Sequence, residues 1–250
     1  MARKAALVTG VGRTVGLGAG IARRLAVDGW DLALSYWHPY DQRVNATTNP
    51  ASELQELIPE LEALGSRVLA RPGDLEDSKT PGELVGAARL ELGTLSGLVL
   101  SHCEGVDSGL LTTSVKSFDR HFAVNVRASW QLINAFALQC NDNGGAIVAL
   151  TSDHTVNNLP YGASKGALDR IVLAAARELG DRNISSNALN PGPVDTGWMT
   201  EEVRRACIQL QPTGRLGTPA DIAGVVAFLL SKDGRWVNGQ LVKADGGFSA

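Results

Sequence analysis

Seven short apolar runs, separated by stretches whose apolar residues recur at helical spacing, restrict the folds open to this chain. Alternating strands and helices return the chain to the same end of a sheet before each new strand, so the strands must run parallel. Runs such as KAALVTG and GAIVALTS lack polar alternation, which fits strands covered on both faces. The pattern predicts strands near 5–9, 31–36, 67–71, 97–101, 145–151, 184–189 and 240–243, and helices near 16–28, 51–64, 80–92, 115–139, 161–179 and 219–231. The expected class is α/β: a doubly wound, seven-stranded parallel sheet with helices on both faces. With 250 residues and no repeat, low-complexity tract or linker-like shift in composition, one domain spanning 1–250 is expected.

The first connection sharpens this. KAALVTG runs into VGRTVGLGAGIARRLAVDG, a strand, a glycine-rich turn and then a helix, the phosphate-binding opening of a Rossmann-type dinucleotide fold. Gly10, Gly16 and Gly18 would let backbone approach a pyrophosphate, with donors from the helix start at Leu17. Ligands of such sheets sit beyond the carboxyl ends of the strands. Six segments fall there: Gly10–Gly18, WHPYDQR with Trp37 and His38, Asp74 with Leu75, SHCEG from Ser101, Ser152, and NPGPVDT with Pro191, Gly192, Val194 and Thr196.

Tyr161 and Lys165 stand four apart at the head of YGASKGALDRIVLAAARELG, so on a helix both project from one face. A free phenol has a pKa of ~10, and a neighbouring ammonium favours the phenolate, drawing that value toward the range useful in acid–base work. The adjacent Ser152, Asp153 and His154 invite a hydrolase reading. A nucleophile, base and orienter need a spatial relay that consecutive positions rarely provide, so that reading is discounted.

Taken in order, the TG…GLG turn, Asp74, Asn125 in FAVNVRA, Ser152, the YGASK box, NPGPVDT and GQLVKADGG resemble the short-chain dehydrogenase/reductase family from Ala5 almost to Ala250. The chain looks somewhat like its 3-oxoacyl-carrier-protein reductase branch. The resemblance implies hydride exchange between a nicotinamide and a carbonyl or secondary alcohol. It makes Tyr161 the general acid/base, has Lys165 tune it and bind the nicotinamide ribose, has Ser152 orient the substrate carbonyl, and gives Asn125 a water relay behind Lys165. It also implies that the Gly192–Val194 backbone and Thr196 meet the carboxamide, and that long helices pair into a homotetramer. The GWMTEEVRRACIQLQPTGRLGTP stretch suits a substrate lid near 195–215, with Trp198 and Met199 offering an apolar inner surface to a partly apolar carbonyl compound.

Three departures carry consequences. Val11 to Val15 lengthen the glycine turn, which predicts a reshaped cradle with contacts from Gly12, Arg13 and Thr14. Ser101, His102, Cys103 and Glu104 replace the family's NNAG, and His102 reads as a hydrogen-bonded structural residue. Nine positions take Ser152 to Tyr161, a short loop for the family, leaving Thr151 and Thr155 as substitutes for Ser152.

Cofactor choice turns on the end of the second strand, where Tyr36 stands near the position of the carboxylate that grips an adenosine ribose. Arg13, His38 and Arg43 offer charge and donors for a 2′-phosphate, so NADP(H) is favoured, with NAD(H) possible should Asp41 reach the ribose. A net charge of -3 argues against a nucleic-acid footprint. The apolar runs are too short for a bilayer, and the chain meets its first strand without room for an export signal. Cys103, Cys140 and Cys207 lack the pairing of a disulfide framework or metal site, which fits reduced thiols in the cytoplasm. Two other classes stay open: a non-catalytic dinucleotide-binding sensor or scaffold, and a methyltransferase using the glycine loop for another nucleoside.

Overall fold

The computed structural model describes residues 3–44, 50–154, 156–197 and 199–250. Trp198 and Thr155, singled out above, lie outside them.

Seven parallel strands form one sheet in the order β3-β2-β1-β4-β5-β6-β7: β1 (Lys4–Thr9), β2 (Trp30–Tyr36), β3 (Val68–Pro72), β4 (Leu95–Leu100), β5 (Gly145–Leu150), β6 (Ile184–Asn190) and β7 (Leu241–Lys243). Successive side chains of a strand point to opposite faces. Ala6 and Val8 therefore join one core with α1 (Leu17–Val27), α3 (Pro50–Ala63) and α9 (Pro219–Leu230), while Ala5 and Leu7 join the other with α4 (Thr80–Leu92), α6 (Ala128–Gln139) and α7 (Leu159–Glu178). Burial on both faces explains the unbroken apolar runs in the sequence. A Cβ on Gly20 would stand 2.6 Å from Pro219 Cβ, so glycine is what lets α1 approach α9 this closely. Thr218 and Asp221 start α9 with a reciprocal capping box.

The helix expected over 115–139 is three pieces. Helix α5 (Val115–His121) passes into a π-helical turn, Phe122–Arg127, and then into α6. Two short helices add to those expected: α2 (His38–Val44), immediately after β2, and α8 (Glu201–Leu210) between NPGPVDT and α9. The reversal at β1 places Gly10 between two outward-running neighbours, β2 and β4, and the three strand ends open one cleft.

Candidate active site

The glycine turn is shaped by close backbone approach. Gly10 has φ +74°, and a Cβ on it would lie 2.6 Å from Ser101 O and 2.7 Å from His102 N, so β4's exit closes on the turn. A Cβ on Gly18 would lie 2.7 Å from Gly10 O. Helix α1 starts at an extended Gly16 with no side-chain cap, which leaves its first N–H groups directed outward for an anion. The longer turn is pinned at its outer edge, where the Thr14 N–H and hydroxyl both donate to Glu53 Oε2 at 2.6 and 2.5 Å. Thr14 therefore braces the turn against α3, while Gly12 and Arg13 face the cleft.

That cleft has a volume of about 1170 Å³, large enough for a dinucleotide together with a small substrate. Gly10, Gly16, Leu17 and Gly18 line it together with Trp37, Asp74 and Leu75. Ser101, Tyr161, Pro191, Gly192, Val194 and Thr196 line it as well. Gly192 has φ +61°, and a Cβ there would collide with Asp245. Glycine donors, an uncapped helix start and room for an extended ligand fit a nicotinamide dinucleotide.

Tyr161 and Lys165 occupy the same face of α7. Lys165 is buried, donates from Nζ to Leu150 O at 2.7 Å, and stands 5.5 Å from the Tyr161 ring centroid. Burial pushes the Tyr161 phenol upward, reinforced by Cys103 and Asp107 and opposed by a hydrogen bond from the Ser152 side chain. Burial likewise draws the Lys165 ammonium downward. In the chain alone burial is the largest influence on both groups, raising the phenol and lowering the ammonium. Ser152 nevertheless reaches Tyr161 across the short loop, and its Oγ also accepts from His154 N at 3.2 Å.

Within the chain, Asn125 joins Glu104 to Ser164. Its Oδ1 accepts from Glu104 N at 2.7 Å, and its Nδ2 donates to Glu104 O and Ser164 Oγ at 2.9 and 2.8 Å. Ser164 Oγ in turn donates to Tyr161 O at 2.7 Å. The π-helical turn thereby ties β4's exit to the first turn of α7. His102 is the structural residue expected. Its Nε2 faces the Val124 carbonyl at 3.1 Å and so carries the proton, leaving Nδ1 to accept from Thr9 Oγ1 at 2.7 Å. Burial lowers its pKa to about 3, keeping the ring neutral.

The three cations assigned to a 2′-phosphate each meet a neighbour in the chain. Arg13 donates to Thr196 O at 3.0 Å, Arg43 forks the buried carboxylate of Glu104 at 2.9 and 2.7 Å, and the His38 ring packs on Tyr36 with centroids 4.5 Å apart. Asp41 is buried against Gly12, where a methyl group would strike its carboxylate. Sequence reasoning passed over Tyr40, Asn158 and the Glu104 side chain, all of which line the cleft. A carboxylate directly after a buried strand was the one available signal for Glu104.

The segment reaching to α8 is pinned at its base. Val194 and Gly217 form a parallel bridge, Asp195 N donates to Gly217 O at 3.0 Å, and Gly217 N donates to Pro193 O at 3.0 Å. Helix α8 buries none of its described residues, and Met199 before it lines the cleft.

Residues 10–249 match the family model described as enoyl-(acyl carrier protein) reductase. The uncharacterized oxidoreductase YjdA of Bacillus subtilis is 32% identical over 98% of this chain and 96% of its own. Among solved structures, a blue fluorescent protein from a metagenomic library, in complex with NADPH, is 33% identical with a TM-score of 0.88 over 99% of this chain and 98% of its own. A short chain dehydrogenase from Burkholderia cenocepacia in complex with NADP is 31% identical, with the same TM-score and the same coverage.

Proposed function

The chain belongs to the short-chain dehydrogenase/reductase family, and on that footing we propose that it exchanges hydride between NADP(H) and a carbonyl or secondary alcohol, with Tyr161 as general acid/base. The observation that carries this reading is that Tyr161 lines the same large cleft as the glycine turn, with Ser152 and Lys165 beside it. The nicotinamide, when bound, supplies the redox chemistry. The chain's part is to bind, orient and manage one proton. Gly10, Gly16, Leu17 and Gly18 take the phosphates, Trp37, Asp74 and Leu75 flank the adenosine, and Ser101, Pro191, Gly192, Val194 and Thr196 flank the nicotinamide.

In the reductive direction Tyr161 Oη gives its proton to the developing alkoxide while the Ser152 hydroxyl donates to the same oxygen. Burial keeps the phenol protonated and ready to donate, and Lys165, moored on Leu150 O, stabilises the phenolate left behind. Asn125 positions rather than reacts, since it holds the backbone on both sides of the cleft. Met199 and Val106 at the mouth suit a partly apolar substrate. NADP(H) is preferred to NAD(H) in this reading, supported by the NADP and NADPH complexes of the structural relatives.

The whole chain acts as one catalytic unit, with 195–215 as a flap hinged at the Val194–Gly217 bridge. It works as a cytoplasmic homotetramer. Free thiols at Cys103, Cys140 and Cys207 fit the compartment, and exposed Val115, Trp130 and Leu138 on α5 and α6 fit the assembly. A monomeric sedimentation profile would remove the tetramer. The deciding assay follows NADPH oxidation with a panel of ketones, aldehydes and diketones in wild type and Tyr161→Phe. Cofactor binding without turnover, unchanged by the substitution, would favour a sensor or scaffold instead.

A further inference from the structure

Helix α2 folds inward over the cleft. It leaves β2, while Glu104 lies just past β4, and in the sheet these two strands flank β1, whose end carries the glycine turn. The Arg43 fork onto Glu104 therefore joins the two outer exits above the middle one. Glu104 is buried, and its backbone is fixed by Asn125 through both the N–H and the C=O, so the anchor is rigid. Two further side chains of α2 point the same way. The Asp41 carboxylate rests on Gly12 of the phosphate-binding turn, and the Tyr40 hydroxyl approaches Cys103 and Gly105, the latter also bordered by the Tyr161 ring.

We propose that α2 is a strap latched across the dinucleotide cleft by Arg43 and Glu104, and that it must part before a cofactor reaches the glycine turn. This rests on the nicotinamide-dependent reading above. Tyr40, Asp41 and Arg43 of the strap line the same cleft as Asp74 and Tyr161, and the Asp41 carboxylate lies against Gly12 of the phosphate-binding turn, beside the way in for an anionic cofactor. The bidentate pair is the bond that resists opening, because parting it exposes a carboxylate held by a planar, two-point contact. Opening is then a step on the association pathway, and loosening the latch speeds it.

The test is stopped-flow binding of NADPH and of NADH, read by the fluorescence of the reduced nicotinamide, for wild type, Glu104→Gln and Arg43→Lys. Both substitutions keep a hydrogen bond in place, and lysine keeps the charge while losing the fork. The expected result is an association rate constant raised about fivefold in each variant for both cofactors. An association rate constant unchanged from wild type in a variant whose circular dichroism and melting are native overturns the strap. Should one variant fail to fold, the other decides by the same criterion. Failure of wild type to bind either cofactor at all would instead overturn the functional reading, and the strap with it.

Discussion

Lys165 Nζ is held by the Leu150 carbonyl at 2.7 Å, at the very end of β5, and from there stands 5.5 Å from the centre of the Tyr161 ring. Both groups ride on α7 four residues apart, and the bond to β5 holds the amine in place. Chemistry that needs both groups is insulated from movement of the surrounding loops.

Replacing Tyr161 by phenylalanine removes the proton donor and leaves the ring's packing in place. Turnover is expected to fall by about 10²–10⁴-fold, with the dissociation constant for NADPH within about twofold of wild type. Steady-state kinetics with any accepted carbonyl, together with fluorescence titration, would measure both. Undiminished turnover would show that another group delivers the proton.

Ser152→Ala should act through Tyr161 as well as directly. The serine's hydrogen bond lowers a phenol that burial has raised, so its loss sends the phenol higher still. The expected signature is a fall in kcat of about 10²-fold, with the alkaline limb of the oxidation profile displaced to higher pH. A fall in rate with no displacement of that limb would confine the serine to holding the substrate.

His102 makes folding stability depend on acid. Its folded pKa, about 3, lies below the ordinary 6.5. The neutral ring's contribution is complete above the ordinary value and is lost as the pH falls through that window toward the folded one. Each pH unit costs about 1.4 kcal/mol where the unfolded imidazole is protonated and the folded one is not. Urea midpoints at about pH 7 and about pH 5 should converge in His102→Asn relative to wild type. Equal pH dependence in the two proteins would count against the neutral, buried imidazole.

Gly10→Ala would place a methyl group 2.6 Å from Ser101 O on a residue with φ +74°. Backbone strain and collision together should destabilise the fold by about 2–4 kcal/mol, with weakened NADPH binding. Thermal melting would register a drop of roughly 5–15 °C for a chain of this length. A native melting temperature would mean that β4's exit can retreat from the turn.

Strand positions, the parallel α/β class and most helices could be read from the sequence because each depends on local pattern. KAALVT and GAIVAL are apolar throughout since both faces of β1 and β5 are covered, and glycines mark Gly10 and Gly18 where backbone nearly touches backbone. What escaped depends on tertiary neighbours. Seven residues of α2 contain a proline and no apolar stripe, so nothing local marks them as a helix or tells which way they fold. The partners of Arg13 and Arg43 in the chain, Thr196 and Glu104, are distant in sequence and so leave no local signal. Tyr161's acidity was judged from the nearest charge, whereas burial, invisible in the spacing, is the larger influence.

The wide turn at Phe122–Arg127 imposes a rule on the gene as much as on the protein. A turn this wide holds one residue more than the α-helical path, so losing one of its codons would let the helix wind normally and keep Ser129 on His102 and Leu132 and Phe136 in the hydrophobic interior. Losing a codon from α6 itself would turn everything beyond the deletion by about 100°.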